Sequence, residues 1–170
     1  MARFKISRER SHLWVEARSS LHPVRAESAA IEGFIEAETD STGLDLKTAP
    51  QARIEVEAAS LKTGNGLYDR ELERRLEIRN YPRIAGDVLE VKQMDSAPRY
   101  RVRGNLSLHG VTKTVDGEVR LRVLDAQTLE FEGERVFDMR DFGLNPPRIL
   151  MLKVYPDVKV RGLIVAEKIA

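Results

Sequence analysis

The sequence predicts an all-β fold, a single antiparallel barrel of about eight strands with one short helix. Apolar and polar residues alternate with period two along most of the chain, which places successive side chains on opposite faces of a strand. A length of 170 residues suits one domain spanning 1–170 and can bury a sizeable core. Five glycines, Gly33, Gly104, Gly117, Gly133 and Gly162, fall mid-strand on the apolar parity of their own strands.

The runs come in order. Leu13, Val15 and Ala17 form the first, Ile31, Ile35 and Ala37 the second, and Ile54, Val56 and Ala58 the third. A further strand is expected near Asp87 to Lys92. Tyr100, Val102, Leu106 and Leu108 alternate with Arg99, Arg101, Arg103, Asn105 and Ser107. Val115, Val119, Leu121 and Val123 follow, then Leu129 with Phe131, and last Val158, Val160 and Ile164. About eight strands is a number at which a closed barrel holds one small ligand. Asp116-Gly117 is a hairpin signal, but the apolar positions are even through Leu108 and odd from Val115. The turn therefore belongs at 109–112, and Gly117 lies inside a strand.

One segment reads as helix, from about 67 to 79, where Tyr68, Leu72 and Leu76 recur at four-residue spacing as a narrow apolar stripe. Asn65 or Asp69 suits its start and Tyr81-Pro82 its end. The mid-strand glycines have two readings, bending of strands at barrel corners and removal of interior volume, with bending expected to dominate.

Composition excludes several function classes. With 28 basic and 27 acidic residues the net charge is +1, so no global field steers nucleic acid. The arginines at 99, 101, 103, 120 and 122 face Glu118, Glu130, Glu132 and Glu134 as ordinary cross-strand pairs. No cysteine is present, which removes thiolate catalysis, disulfides and the usual structural zinc sites. His12, His22 and His109 are not at metal-ligand spacing. Nowhere do 18 consecutive apolar residues occur, so no stable membrane insertion by a spanning helix is expected. Charges interrupt the N-terminal apolar residues, and cytoplasmic residence is the expectation. Asp-Phe-Gly at 141–143 lacks every other kinase feature. Asp138 and Asp141 read as solvated turn carboxylates, no serine sits in a nucleophile elbow, and the chain is not expected to be an enzyme.

Several segments together resemble the YceI-like family. They are Ser11 to Ala17 with the polar run to His22, Ile31-Glu32-Gly33, Thr63-Gly64-Asn65 through Asp69 and Leu72, and Tyr81-Pro82-Arg83-Ile84. The most specific is Gly104-Asn105-Leu106-Ser107-Leu108-His109-Gly110-Val111-Thr112-Lys113, and Arg140-Asp141-Phe142-Gly143-Leu144 also matches. The resemblance implies an eight-stranded lipocalin-like barrel, with the helix over one end, that binds a polyisoprenoid or isoprenoid quinone, or a similar long-chain amphiphile, in an elongated apolar pore. No further cofactor is implied. Such a ligand needs length and dryness, because each buried methylene contributes about 0.8 kcal/mol.

The expected cavity lining is Val15, Ile35, Val56, Val102, Leu106, Val119, Leu121, Phe131 and Val160. The rim candidates are His22, Arg140, Asp141 and Phe142. A second reading is a filled barrel serving as a structural or protein-interaction domain, with a homodimer formed through an uncovered apolar patch. A third, a small-molecule hydrolase or isomerase, requires two polar groups converging inside the cavity.

Overall fold

The computed structural model describes residues 1–95 and 98–169. Strands β1 (Ala2–Ile6), β2 (His12–Ser19), β3 (Val24–Ser28), β4 (Ile31–Asp40), β5 (Gly43–Asp45) and β6 (Gln51–Glu57) precede helix α1 (Gly66–Leu76). Strands β7 (Arg83–Gln93), β8 (Arg99–Leu108), β9 (Val111–Asp125), β10 (Thr128–Asp138), β11 (Arg148–Ile149) and β12 (Leu152–Lys168) follow it. The hydrogen-bonded order β1-β4-β6-β7-β8-β9-β10-β12 returns to β1 through Phe4 opposite Lys168, so eight antiparallel strands close a ring. Closure removes most of the open strand edge that invites aggregation.

β2 and β3 carry the walls formed by β1 and β4 past short breaks at 7–11 and 29–30. β2 lies beside β12, with Val15 opposite Val160, and β3 pairs β2 with Ala26 opposite Val15. The alternation places the polar residues outside, where the expected pairing forms at Arg101 and Arg122, whereas Arg103 turns to Glu90 and Arg99 stands opposite Arg120. Arg101 meets Asp116 and Glu118, Arg122 meets Glu130, and Arg161 meets Glu132. Exposed pairs of this kind each stabilise by about 0.2–1 kcal/mol.

Four local expectations need correction. β1 was not anticipated, although Phe4 and Ile6 alternate with Arg3 and Lys5; five residues make too short a run to stand out. The strand near Asp87–Lys92 extends over Arg83–Gln93, and a register shift between Val88 and Glu90 changes the inward parity from Ile84 to Val91, which hides its alternation. The turn expected over 109–112 occupies two residues, His109 and Gly110, with φ of 55° and 72°. Two consecutive positive φ values suit the strand twist of a two-residue hairpin. Val123 falls on the apolar parity but is exposed near the end of β9.

The helix also ends earlier than predicted, at Leu76 rather than 79. Asn65 caps its start by accepting from the N–H groups of Leu67 and Tyr68 at 2.9 and 3.2 Å. Glu77 ends it in the left-handed conformation with φ 49°, donating its N–H to the Arg74 carbonyl. The chain has left the helix before the proline stop is reached.

Asp69 in the first turn accepts the Thr63 N–H at 2.6 Å and its hydroxyl at 2.7 Å. The backbone bond first, then the hydroxyl and the Lys62 charge, hold its carboxyl below the ordinary value of 3.8. A depressed folded pKa gives stability that is present above 3.8 and lost as pH falls through the folded value. Asp69→Asn is therefore expected to lower the urea midpoint at neutral pH. The gap from the parent should close on acidification below 3.8.

Candidate ligand-binding interior

One end of the barrel is sealed. Asp40 Oδ1 accepts the N–H groups of Thr42 and Gly43 at 2.8 and 3.1 Å, folding the β4–β5 hairpin inward. Leu44 then donates its N–H to the Tyr100 hydroxyl at 2.9 Å. Phe4, Ile35, Ala37, Leu44, Tyr100, Leu121, Leu129 and Ala166 pack into one buried plug. A side chain at Gly43 would strike the Tyr100 hydroxyl, its Cβ lying 2.3 Å away, so this position must stay small for the hairpin to seat.

The opposite end is capped by α1 and by the segment after β10. Leu76 packs with Ala58, Leu61 and Leu144, and against this group lie Leu13, Val15, Leu72, Ile84, Leu108 and Met139. His109 ties the cap together. Its Nδ1 contacts the Phe142 carbonyl oxygen at 3.1 Å, its Nε2 contacts the Glu77 carboxylate, and Tyr81 packs edge-on at 5.1 Å.

Between plug and cap the inward side chains are not fully buried, as is also true of Leu13, Ile84 and Leu108 under the cap. Val102, Leu106 and Val160 sit mid-strand on the inward parity yet are only half-buried. The inward glycines divide by position. A Cβ at Gly33 would lie 1.9 Å from the Arg53 carbonyl oxygen, at Gly104 2.5 Å from that of Asp87, and at Gly133 3.0 Å from that of Glu118. These three sit where neighbouring backbones crowd together, which fits bending. At Gly117 and Gly162 the nearest atoms are side-chain carbons of Arg135 and Leu13 at 3.7 and 3.9 Å. A side chain would fit there, so its absence leaves interior volume.

The nine expected lining residues separate by height along the barrel. Ile35 and Leu121 lie within the plug, with Val119 and Phe131 at its border. Val56 is buried with Ile6 and Ile31, and Val15 lies under the cap. Val102, Leu106 and Val160 occupy the middle. All four rim candidates are at the capped end. His22 is exposed and stacks on Tyr68 with ring centroids 6.5 Å apart. Arg140 is exposed and bound to Asp138 at 2.7 Å, which keeps the Asp138 carboxyl below its ordinary range. Asp141 is exposed, whereas Phe142 is buried; Gly143 follows with φ 71°.

Arg135 is a site residue beyond the expected lining and rim. It shares the inward parity of Leu129, Phe131 and Gly133 and stands opposite Val160. The β9–β10 ladder ends at Gly133 opposite Val119, while β9 continues beside β8 and β10 beside β12. Arg135 lies where the wall parts. Its guanidinium sits 4.6 Å over the Phe137 ring and 4.0 Å from Asp116 Oδ1. A charged residue on apolar parity was the available signal.

A concavity of about 730 Å³ opens on the outside of this region and takes in Val15 of the expected lining. It runs beside β3, where Trp14 lies 4.5 Å beneath the Arg161 guanidinium, and its lining includes Glu16, Arg25, Glu27, Lys62 and Lys159. Trp14, Val15, Ala26 and Ala29 stand beside these charges, so its lining is mixed in character. Among the described residues no group of three or more His, Cys, Asp or Glu side chains is placed to hold a metal ion.

A closed eight-stranded antiparallel barrel, plugged at one end and capped by a helix at the other, defines a lipocalin-like architecture. The chain belongs to the YceI-like family, whose domain model matches residues 4–166. No curated protein matches it in sequence. Among solved structures it is similar to Burkholderia cenocepacia BcnA, with a TM-score of 0.78 at 16% identity, covering 94% of this chain and 98% of that one. A polyisoprenoid binding domain from Saccharophagus degradans, implicated in plant cell wall breakdown, gives 0.74 at 14% identity, covering 99% and 100%. The Campylobacter jejuni YCEI protein gives 0.69 at 15%, covering 86% of each chain. At these identities the likeness concerns the fold.

Proposed function

We propose that the barrel binds and carries an elongated apolar molecule, a polyisoprenoid or isoprenoid quinone, in the space between plug and cap, and that it does so without catalysis. The observation that carries this reading is the incomplete filling of the middle. Val102, Leu106 and Val160 retain exposure on the inner face, and Gly117 and Gly162 leave side-chain volume empty beside them. An isoprenoid tail supplies the missing contacts without needing polar partners. Family membership and the polyisoprenoid-binding neighbour support the same ligand class. The head group of such a molecule would lie at the parted wall, where Arg135 and Phe137 offer a cation and an aromatic face.

The direct test is native mass spectrometry of protein purified without detergent, with mass spectrometry of its organic-solvent extract. One isoprenoid or quinone per chain is expected. Gly162→Leu, which projects a branched side chain into the interior, should cut uptake of an added isoprenoid quinone at least tenfold while the protein stays folded. An empty protein that also refuses added isoprenoids of several lengths would leave the filled-barrel interaction domain as the better reading.

A further inference from the structure

Three surface elements meet at the capped end. In the β2–β3 turn, Ser20 donates its N–H to the Lys153 carbonyl at 2.9 Å, and the Lys153 N–H returns to Ser20 Oγ at 3.0 Å. This holds the turn against the β11–β12 hairpin. The start of α1 joins them, because Tyr68 stacks on His22 and packs against the Ala17, Leu152 and Val154 cluster.

The rim so formed is strongly apolar at its most exposed points. Leu21 is 76% exposed, Leu150 82% and Met151 87%, with Leu67 of α1 at 41%. Leu150 also holds φ at 57°, an uncommon conformation for a leucine. An exposed apolar cluster of this kind marks an interaction surface. Its charge selects the partner: residues 17–24 and 144–155 contain Arg18, Arg148 and Lys153 but no carboxylate. The nearby Asp157 and Asp138 are taken by Arg18 and Arg140. In these two turns the exposed aliphatic side chains are flanked by cations, with Asp69 of α1 and Asp141 lying outside them, and that combination matches the interface of an anionic bilayer.

We propose that this rim docks the protein peripherally on anionic phospholipid, with Leu21, Leu150 and Met151 entering the acyl boundary and Arg148 and Lys153 facing the head groups. No helix among the described residues is long and apolar enough to cross a membrane. The proposal goes beyond the carrier reading and does not depend on the identity of any cargo.

The test is co-sedimentation of the protein with vesicles of phosphatidylcholine alone or mixed with phosphatidylglycerol. The parent should sediment with the mixed vesicles and be released by raised salt. The triple variant Leu21→Ser, Leu150→Ser, Met151→Ser should bind at least tenfold more weakly with an unchanged thermal midpoint. Arg148→Gln with Lys153→Gln should abolish the preference for phosphatidylglycerol. A parent that stays in solution with mixed vesicles, or a triple variant that sediments like the parent, overturns the proposal. So does a concentration-dependent dimer broken by the triple variant in the absence of vesicle binding, which would assign the rim to a second copy of the chain. None of these outcomes bears on isoprenoid uptake, which is measured separately.

Discussion

Gly33→Ala is expected to destabilise the barrel by at least about 3 kcal/mol, the sum of an unfavourable backbone region and a clash that cannot relax. Gly33 holds φ at 138° and stands opposite Ile54 in the β4–β6 ladder. An added Cβ would lie 1.9 Å from the Arg53 carbonyl oxygen, a backbone atom. Relief therefore requires breaking the pairing that joins β4 to β6. In a chain of this size the thermal midpoint should fall by about 6–12 °C. Gly117→Ala and Gly162→Ala are the controls, because their nearest neighbours are at ordinary contact distance. Both should be neutral or stabilising by about 0.5–1 kcal/mol, since glycine weakens a strand relative to alanine. Urea denaturation of the three variants separates the roles; equal effects would mean that crowding at Gly33 does not hold β4 in place.

That contrast shows what alternation reveals and what it conceals. Parity alone identified the inward face of the later strands and placed the turn after Leu108 against the competing Asp116-Gly117 signal. It also singled out the inward glycines, but it could not divide them between bending and volume. The division depends on how closely a neighbouring strand approaches, and at Gly33 that strand is 21 residues away, at Ile54. Height along the barrel axis is hidden for the same reason. Ile35 and Leu121 share the inward parity of Val102, yet the β4–β5 hairpin folds over them and not over Val102. Arg135 was legible as a cation out of phase with its strand. Its position at the end of the β9–β10 ladder was not, because ladder length is set by the divergence of two strands. The helix end was misjudged because Glu77, a residue without a strong left-handed preference, takes that conformation and outruns the proline signal.

Tyr100 should be the most costly side chain to remove from the plug, and the form of the loss tests how the end is sealed. It is 1% exposed and packs among Phe4, Leu44, Leu121 and Leu129. Tyr100→Ala empties a large buried site and is expected to cost about 3–5 kcal/mol. Tyr100→Phe keeps the ring but removes the acceptor of the Leu44 N–H. A buried donor left without a partner costs about 1–3 kcal/mol. The phenylalanine variant should therefore lose part of the stability lost by alanine, and the Leu44 amide should exchange with solvent much faster than in the parent. Exchange elsewhere in β8 should change little at Tyr100→Phe, because the strand ladder is intact. If Leu44 exchange is unchanged, the hairpin is held by side-chain packing alone. If it rises while the core of β8 stays protected, the single hydrogen bond is what keeps β5 seated over the barrel's closed end, and loosening it supplies a way to lengthen the interior without unfolding the wall.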